Sequence, residues 1–336
     1  MWIRPLTMWI LALQLACSAN PANAPGGGAT IVVDGSSTVF PISEAVAEDY
    51  GGRHPSHRVT VGVSGTGGGM KKLCNGEVAI AGASRPIKPS EMEACATNGV
   101  SWLEIPIAYD GIAVVVHPSN DWVGALGVAE LKRMWEPAAQ GQVLRWSDVR
   151  PGWPDAELHL FGAGVDSGTY DYFTAAIVGK EHSSRGDFTS SEDDNTLVQG
   201  IRNDRHALGF LGLAYFEANA SLLQAVSVDD GVDTNGAGPV LPSARTVADG
   251  TYQPLSRPIF LYANAAALAH PATASFLDFY VTEGASLVGD VGYIPLSPAA
   301  RAAVKARLDA RVPGSLFAGR GSTVGATLEA LLGVSP

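Results

Sequence analysis

The chain has 336 residues, 46% of them hydrophobic, enough to bury a large core and to build two domains' worth of protein. Its formal charge of −11 comes from 22 basic against 33 acidic residues, with no basic cluster. That excludes a nucleic-acid surface, which needs lysines and arginines gathered on one face.

The N-terminus reads as an export signal. Met8–Ala16 is a short apolar run, too short to span a bilayer, and it ends at Cys17. "LQLAC" resembles the lipobox of bacterial lipoproteins, with Gln14 where that family prefers an aliphatic residue. Residues 1–17 are therefore expected to form a signal peptide with Cys17 as the lipidation site. A rival cleavage after "ANA" (22–24) would release a soluble protein. Residues 18–28, "SANPANAPGGG", read as a flexible tether. Outside the cytoplasm, the remaining Cys74 and Cys95 are expected to form a disulfide, two buried free thiols being the alternative.

From Ala29 one local pattern recurs. "ATIVVDGSSTVFPISEAVAEDY" is a β-rich run, a turn through Ser36, Ser37 and Thr38, then a helical stripe of Ile42, Val46 and Tyr50. "RVTVGVSGTGGGMKKLC" repeats the scheme with Ser64 and Thr66. "VAIAGASRPIKPSEMEA" ends a third strand at Ser84-Arg85, with Ser90-x-x-Glu93 expected to box the next helix. "LHLFGAGVDSGTYDYF" supplies a fourth turn, Asp166-Ser167-Gly168-Thr169. Strands alternating with helices predict an α/β fold whose ligands sit beyond the carboxyl ends of the strands. Any one turn is explained by helix capping. Four of them, each offering hydroxyls and unhindered amides, point to a shared anion site made of neutral dipoles.

Two long apolar stretches, "EIPIAYDGIAVVVHP" (104–118) and "RPIFLYANAAALAH" (257–270), suit chain crossings between two lobes. Residues 226–256 read as loop with one short strand, and 319–336 as a terminal helix on the surface. The aromatics of "YDYF" (170–173), with Tyr215, Phe216, Trp102, Trp135, Trp146 and Trp153, read as packing.

"DGSSTVFPISEAVAEDY", "GVSGTGGGMKKLCNGEVAIAGASRPIKPSE", "IAYDGIAVVVHP", "FGAGVDSGTYDYFTAAI" and "ALGFLGLAYF" together resemble the phosphate-binding proteins of bacterial high-affinity phosphate ABC transporters, in order and spacing over most of residues 30–297. The resemblance implies a periplasmic-binding-protein fold, two α/β lobes joined by two hinge-crossing strands, with lobe I at 29–112 plus 262–336 and lobe II at 113–261. It implies capture of inorganic phosphate for a membrane permease, by a monomer lying outside the cytoplasm and anchored by lipid. Position by position it implicates Ser37, Thr38, Ser64, Thr66, Ser84, Ser167, Gly168 and Thr169 as donors to phosphate.

The chain departs from the family pattern in its charges. An Asp usually follows the third-turn serine, and an Arg usually precedes the fourth-turn Ser-Gly-Thr; here those positions hold Arg85 and Ala163. The expectation is an exchange of sides, with Arg85 neutralising the anion and Asp166 accepting its proton, which would reject sulfate. No cofactor, metal or catalytic residue is expected. "GVSGT" misses the last glycine of a nucleophile elbow, and "GTGGGMKK" lacks the Gly-Lys-Ser/Thr of a P-loop. The alternatives are another oxyanion (sulfate, molybdate or arsenate), a sensor without a transporter, and a phosphatase-like enzyme.

Overall fold

A computed structural model describes residues 29–165, 167–191, 193–318 and 327–334. Cys17, the signal segment, the tether and Asp166 lie outside the described residues.

The first strand, β1 (Ala29–Gly35), pairs in parallel with β2 (His57–Val63) and β3 (Ile80–Ala83). Helices follow each: α1 (Phe40–Arg53), α2 (Gly65–Cys74) and α3 (Pro89–Thr97). In α1, Pro41 fits the first turn, and Ile42, Val46 and Tyr50 bury one face at four-residue spacing. The turn after β1 sits tightly on β3: Gly35 has φ +142°, and a Cβ there would lie 2.2 Å from the Gly82 carbonyl oxygen. The Cys74 and Cys95 sulfurs stand 2.01 Å apart as a disulfide that ties α2 to α3.

The fifteen-residue strand β4 (Trp102–Val116) is buried from end to end, which explains its near-continuous apolar sequence. It is followed by β5 (His159–Ala163), β6 (Thr189–Ser191), β7 (Ala207–Gly212) and β8 (Ser256–Asn264). The path through the sheet is β2-β1-β3-β8-β4-β7-β5-β6. Along β4 the partners change: Trp102–Gly111 pairs with β8, and Ile112–Val116 pairs with β7. One strand thus serves two half-sheets, the mixed α/β architecture of a two-lobed binding protein. All of β8, from Ser256 onward, pairs with β3 and the first part of β4.

Three local expectations need correction. Because α3 begins at Pro89, Glu91 rather than Glu93 occupies the capping position, and its carboxylate accepts from the Lys88 amide at 2.8 Å. Residues 226–256 hold a short helix, Ala244–Ala248, besides the strand Ser227–Asp229; Val247 is the apolar residue it buries. The C-terminal helix Leu328–Leu332 is docked rather than superficial: Leu328 and Glu329 are buried, and Tyr109 of β4 donates to Glu329 at 2.9 Å.

Candidate functional site

The four hydroxyl turns stand at the carboxyl ends of β1, β2, β3 and β5. Backbone bonds gather the first three, since Ser36 N donates to Gly82 O at 2.9 Å and Ser64 N to Gly35 O at 3.0 Å. Thr66 Oγ1 and Ser84 Oγ lie 3.1 Å apart, and Thr66 Oγ1 also accepts from the Ser84 amide at 3.1 Å. The Ser64 hydroxyl donates to Asp34, whose other carboxylate oxygen takes Lys72 Nζ at 2.7 Å.

The fourth turn comes from the other half-sheet and meets the first face to face. Ser167 Oγ caps the helix Gly168–Phe173 (α4) by accepting from the Thr169 amide at 3.2 Å. Gly168 lies so close to Thr38 that a Cβ would fall 2.6 Å from Thr38 Oγ1 and 2.8 Å from its amide nitrogen. Thr38 Oγ1 donates to the Gly168 carbonyl at 3.5 Å, and Ser37 Oγ donates to Asp171 Oδ2 at 3.2 Å.

The charges at this junction come from the two crossing strands. Arg257 of β8 donates through Nη2 to Thr38 Oγ1 at 3.1 Å and reaches Asp110 Oδ2 of β4 at 3.4 Å. Its guanidinium lies 3.6 Å over the Tyr172 ring. Both charged side chains are largely buried, 13% exposed for Arg257 and 11% for Asp110. Burial pushes the Asp110 carboxyl above its ordinary range, against the pull of Arg257. Burial likewise lifts Asp171, with His182 the strongest opposing influence and Ser37 next. Tyr172, read from the sequence as core, is buried and also forms the floor under the guanidinium.

Arg85 is placed differently from the expectation. Its two terminal nitrogens meet Glu91 at 2.9 and 2.8 Å, and one also donates to the Pro86 carbonyl at 3.1 Å. This bidentate pair commits the guanidinium to α3.

Sequence reasoning thus brought Ser37, Thr38, Ser64, Thr66, Ser84, Ser167, Gly168 and Thr169 to strand ends, but missed Arg257, Asp110, Asp171 and Tyr172. A signal was present. Asp110 and Arg257 are isolated charges in the two long apolar stretches, and a lone charge in a buried strand needs a partner from elsewhere in the chain.

A model of the family described as PBP superfamily domain matches residues 20–283. The protein SphX of Synechocystis is 45% identical over 98% of this chain and 95% of its own length. The phosphate-binding protein PstS of Staphylococcus saprophyticus is 31% identical, covering 85% of this chain and 86% of its own. Among solved structures, one described as a possible phosphate binding protein from Planctomyces limnophilus superposes with a TM-score of 0.80. It is 44% identical over 85% of this chain and 99% of that one. The chain belongs to the PBP superfamily, among relatives that include phosphate-binding proteins.

Proposed function

We propose that this member of the PBP superfamily captures inorganic phosphate between its two lobes and hands it to a membrane permease of an ABC transporter. The observation that carries the reading is the junction itself: Thr38 of one half-sheet and Gly168 of the other in contact, with a buried arginine bonded to Thr38. Hydroxyls and amides of the four turns supply donors, and Arg257 supplies charge. Among the described residues its bonds run through Nε and Nη2, which leaves Nη1 for an anion oxygen.

Arg257, not Arg85, takes the role of neutralising the anion in this reading. Asp110 is the acid beside that cation, and its carboxylate faces a protonated phosphate oxygen as acceptor but repels sulfate, which has no proton near neutral pH. Lobe boundaries fall where β4 changes partners near Ile112 and where the chain re-enters the first half-sheet at Ser256.

Relatives of this chain are named phosphate-binding proteins, and we read this chain as a binding protein rather than an enzyme. Export and a lipid anchor at Cys17 follow from the N-terminal motif, and we read the protein as a monomer. Among the described residues no helix is long and apolar enough to cross a membrane, so the anchor carries membrane attachment in this reading.

Calorimetric titration of ligand-stripped protein near neutral pH tests the function. Tight phosphate binding without sulfate heat is expected. Equal heats with both anions would remove the Asp110 role, and no heat with either would overturn the ligand. Hydrolysis of a chromogenic phosphate ester would favour the enzymatic alternative.

A further inference from the structure

Among the cross-cleft contacts, one involves a residue that donates nothing to an anion. Asp171 sits in α4, three residues after Gly168, and its carboxylate has two polar neighbours. Oδ2 takes the Ser37 hydroxyl from the opposite half-sheet at 3.2 Å. Oδ1 lies 3.1 Å from Nδ1 of His182, a residue 62% exposed on the same side as Asp171. The charged groups facing Asp171 are His182, Glu181 and Arg257. A serine hydroxyl has one hydrogen, so with Ser37 Oγ donating to Asp171, Ser37 serves the anion through its amide.

We propose that Asp171 is a positioning residue: its carboxylate, with the His182 ring beside it, latches Ser37 across the cleft and so sets how long the lobes stay closed. The proposal rests on the phosphate-capture reading and adds a residue that acts through Ser37 rather than on the ligand. Its kinetic signature follows from the order of events. The Ser37–Asp171 bond forms only when the lobes have met, so its loss speeds opening and leaves encounter nearly unchanged. A hydrogen bond to a charged acceptor makes the expected acceleration about 10-fold.

The test is rapid-mixing measurement of phosphate association and dissociation on the full chain, with Asp171→Ala, Asp171→Asn, Ser37→Ala and the Asp171/Ser37 double alanine variant. Both Asp171 variants remove the same charge, but asparagine keeps an acceptor for Ser37, so their difference isolates the latch. Expected are dissociation about 10-fold faster in Asp171→Ala, an intermediate acceleration of about 3-fold in Asp171→Asn, whose neutral amide oxygen is the weaker acceptor, and no further acceleration when Asp171→Ala is added to Ser37→Ala. His182→Ala, at an exposed position that folding tolerates, should speed dissociation about 2-fold. Unchanged dissociation in Asp171→Ala, additive effects in the double variant, or equal acceleration in the Ala and Asn variants would overturn the latch. If the wild-type protein binds no phosphate, the functional reading fails instead, and small-angle scattering still decides the latch. Asp171→Ala more expanded than wild type supports it, and identical profiles reject it.

Discussion

Two arginines of this chain stand close to the hydroxyl turns, and their surroundings differ in kind. Arg85 gives both terminal nitrogens to Glu91 at 2.8 and 2.9 Å and one of them also to a backbone carbonyl, all within seven residues of chain. Arg257 meets its carboxylate partner only at 3.4 Å, across 147 residues, shares a nitrogen with Thr38, and rests on an aromatic face. The first guanidinium gives three of its five N–H donors to Glu91 and the Pro86 carbonyl and braces α3. The second is half as exposed, loosely paired and aimed at the junction of two half-sheets. The tightness of the carboxylate pairing distinguishes the two arginines, and on that difference we assign anion neutralisation to Arg257.

The sharpest way to break this contrast is Arg257→Ala. It removes the buried charge to which we assign the anion and should weaken phosphate binding by about 100-fold or more in calorimetry. Arg257→Lys keeps the charge without the fork and should recover only part of the loss. Next in size is Gly168→Ala, whose methyl would press on the Thr38 backbone. Overpacking of that kind should hold the lobes apart and cost about 10-fold in affinity, with a more expanded scattering profile.

A pH experiment addresses the partner of Arg257. Asp110 titrates above its ordinary range in the folded protein because burial disfavours its charge. A carboxyl with a raised folded pKa stabilises the fold while protonated, and that stability is lost as pH rises from the ordinary aspartate value of about 4 through the raised one. Asp110→Asn should therefore flatten the fall of Tm across that window and leave the rest of the profile unchanged. An unaltered slope would mean that Arg257 fully compensates the burial.

The smallest effects belong to the Arg85 side. Arg85→Ala should change phosphate affinity by less than about 3-fold, since both terminal nitrogens of Arg85 are already given to Glu91. The Cys74 sulfur lies 3.3 Å from the Glu91 backbone carbonyl oxygen, so the disulfide braces the same corner. Reducing it should lower stability by about 3 kcal/mol, read as a fall in Tm, while phosphate affinity stays within about 2-fold.

The fold was legible where local chemistry determines it. Gly and Ser at strand ends, Pro41 at the start of α1, and the two apolar runs each carry a backbone requirement readable within a few residues. The site was legible only in its neutral half. Ser37, Thr38 and Gly168 announce themselves as small residues at turns, whereas Asp110 and Arg257 acquire meaning only when β4 and β8 become neighbours in the sheet. The partner of Arg85 was not legible, because only the helix start at Pro89 makes Glu91 both cap and ion-pair partner. Tyr172 was assigned to the core because a buried aromatic and a cation's platform look identical in a sequence.

The most direct test is to locate the anion by crystallising the protein with arsenate, whose arsenic marks the site by anomalous scattering. A single peak within hydrogen-bond reach of Arg257, between Thr38 and Gly168, is the predicted result. A peak beside Arg85, with the Arg85–Glu91 pair opened and Arg257 out of reach, would contradict the account.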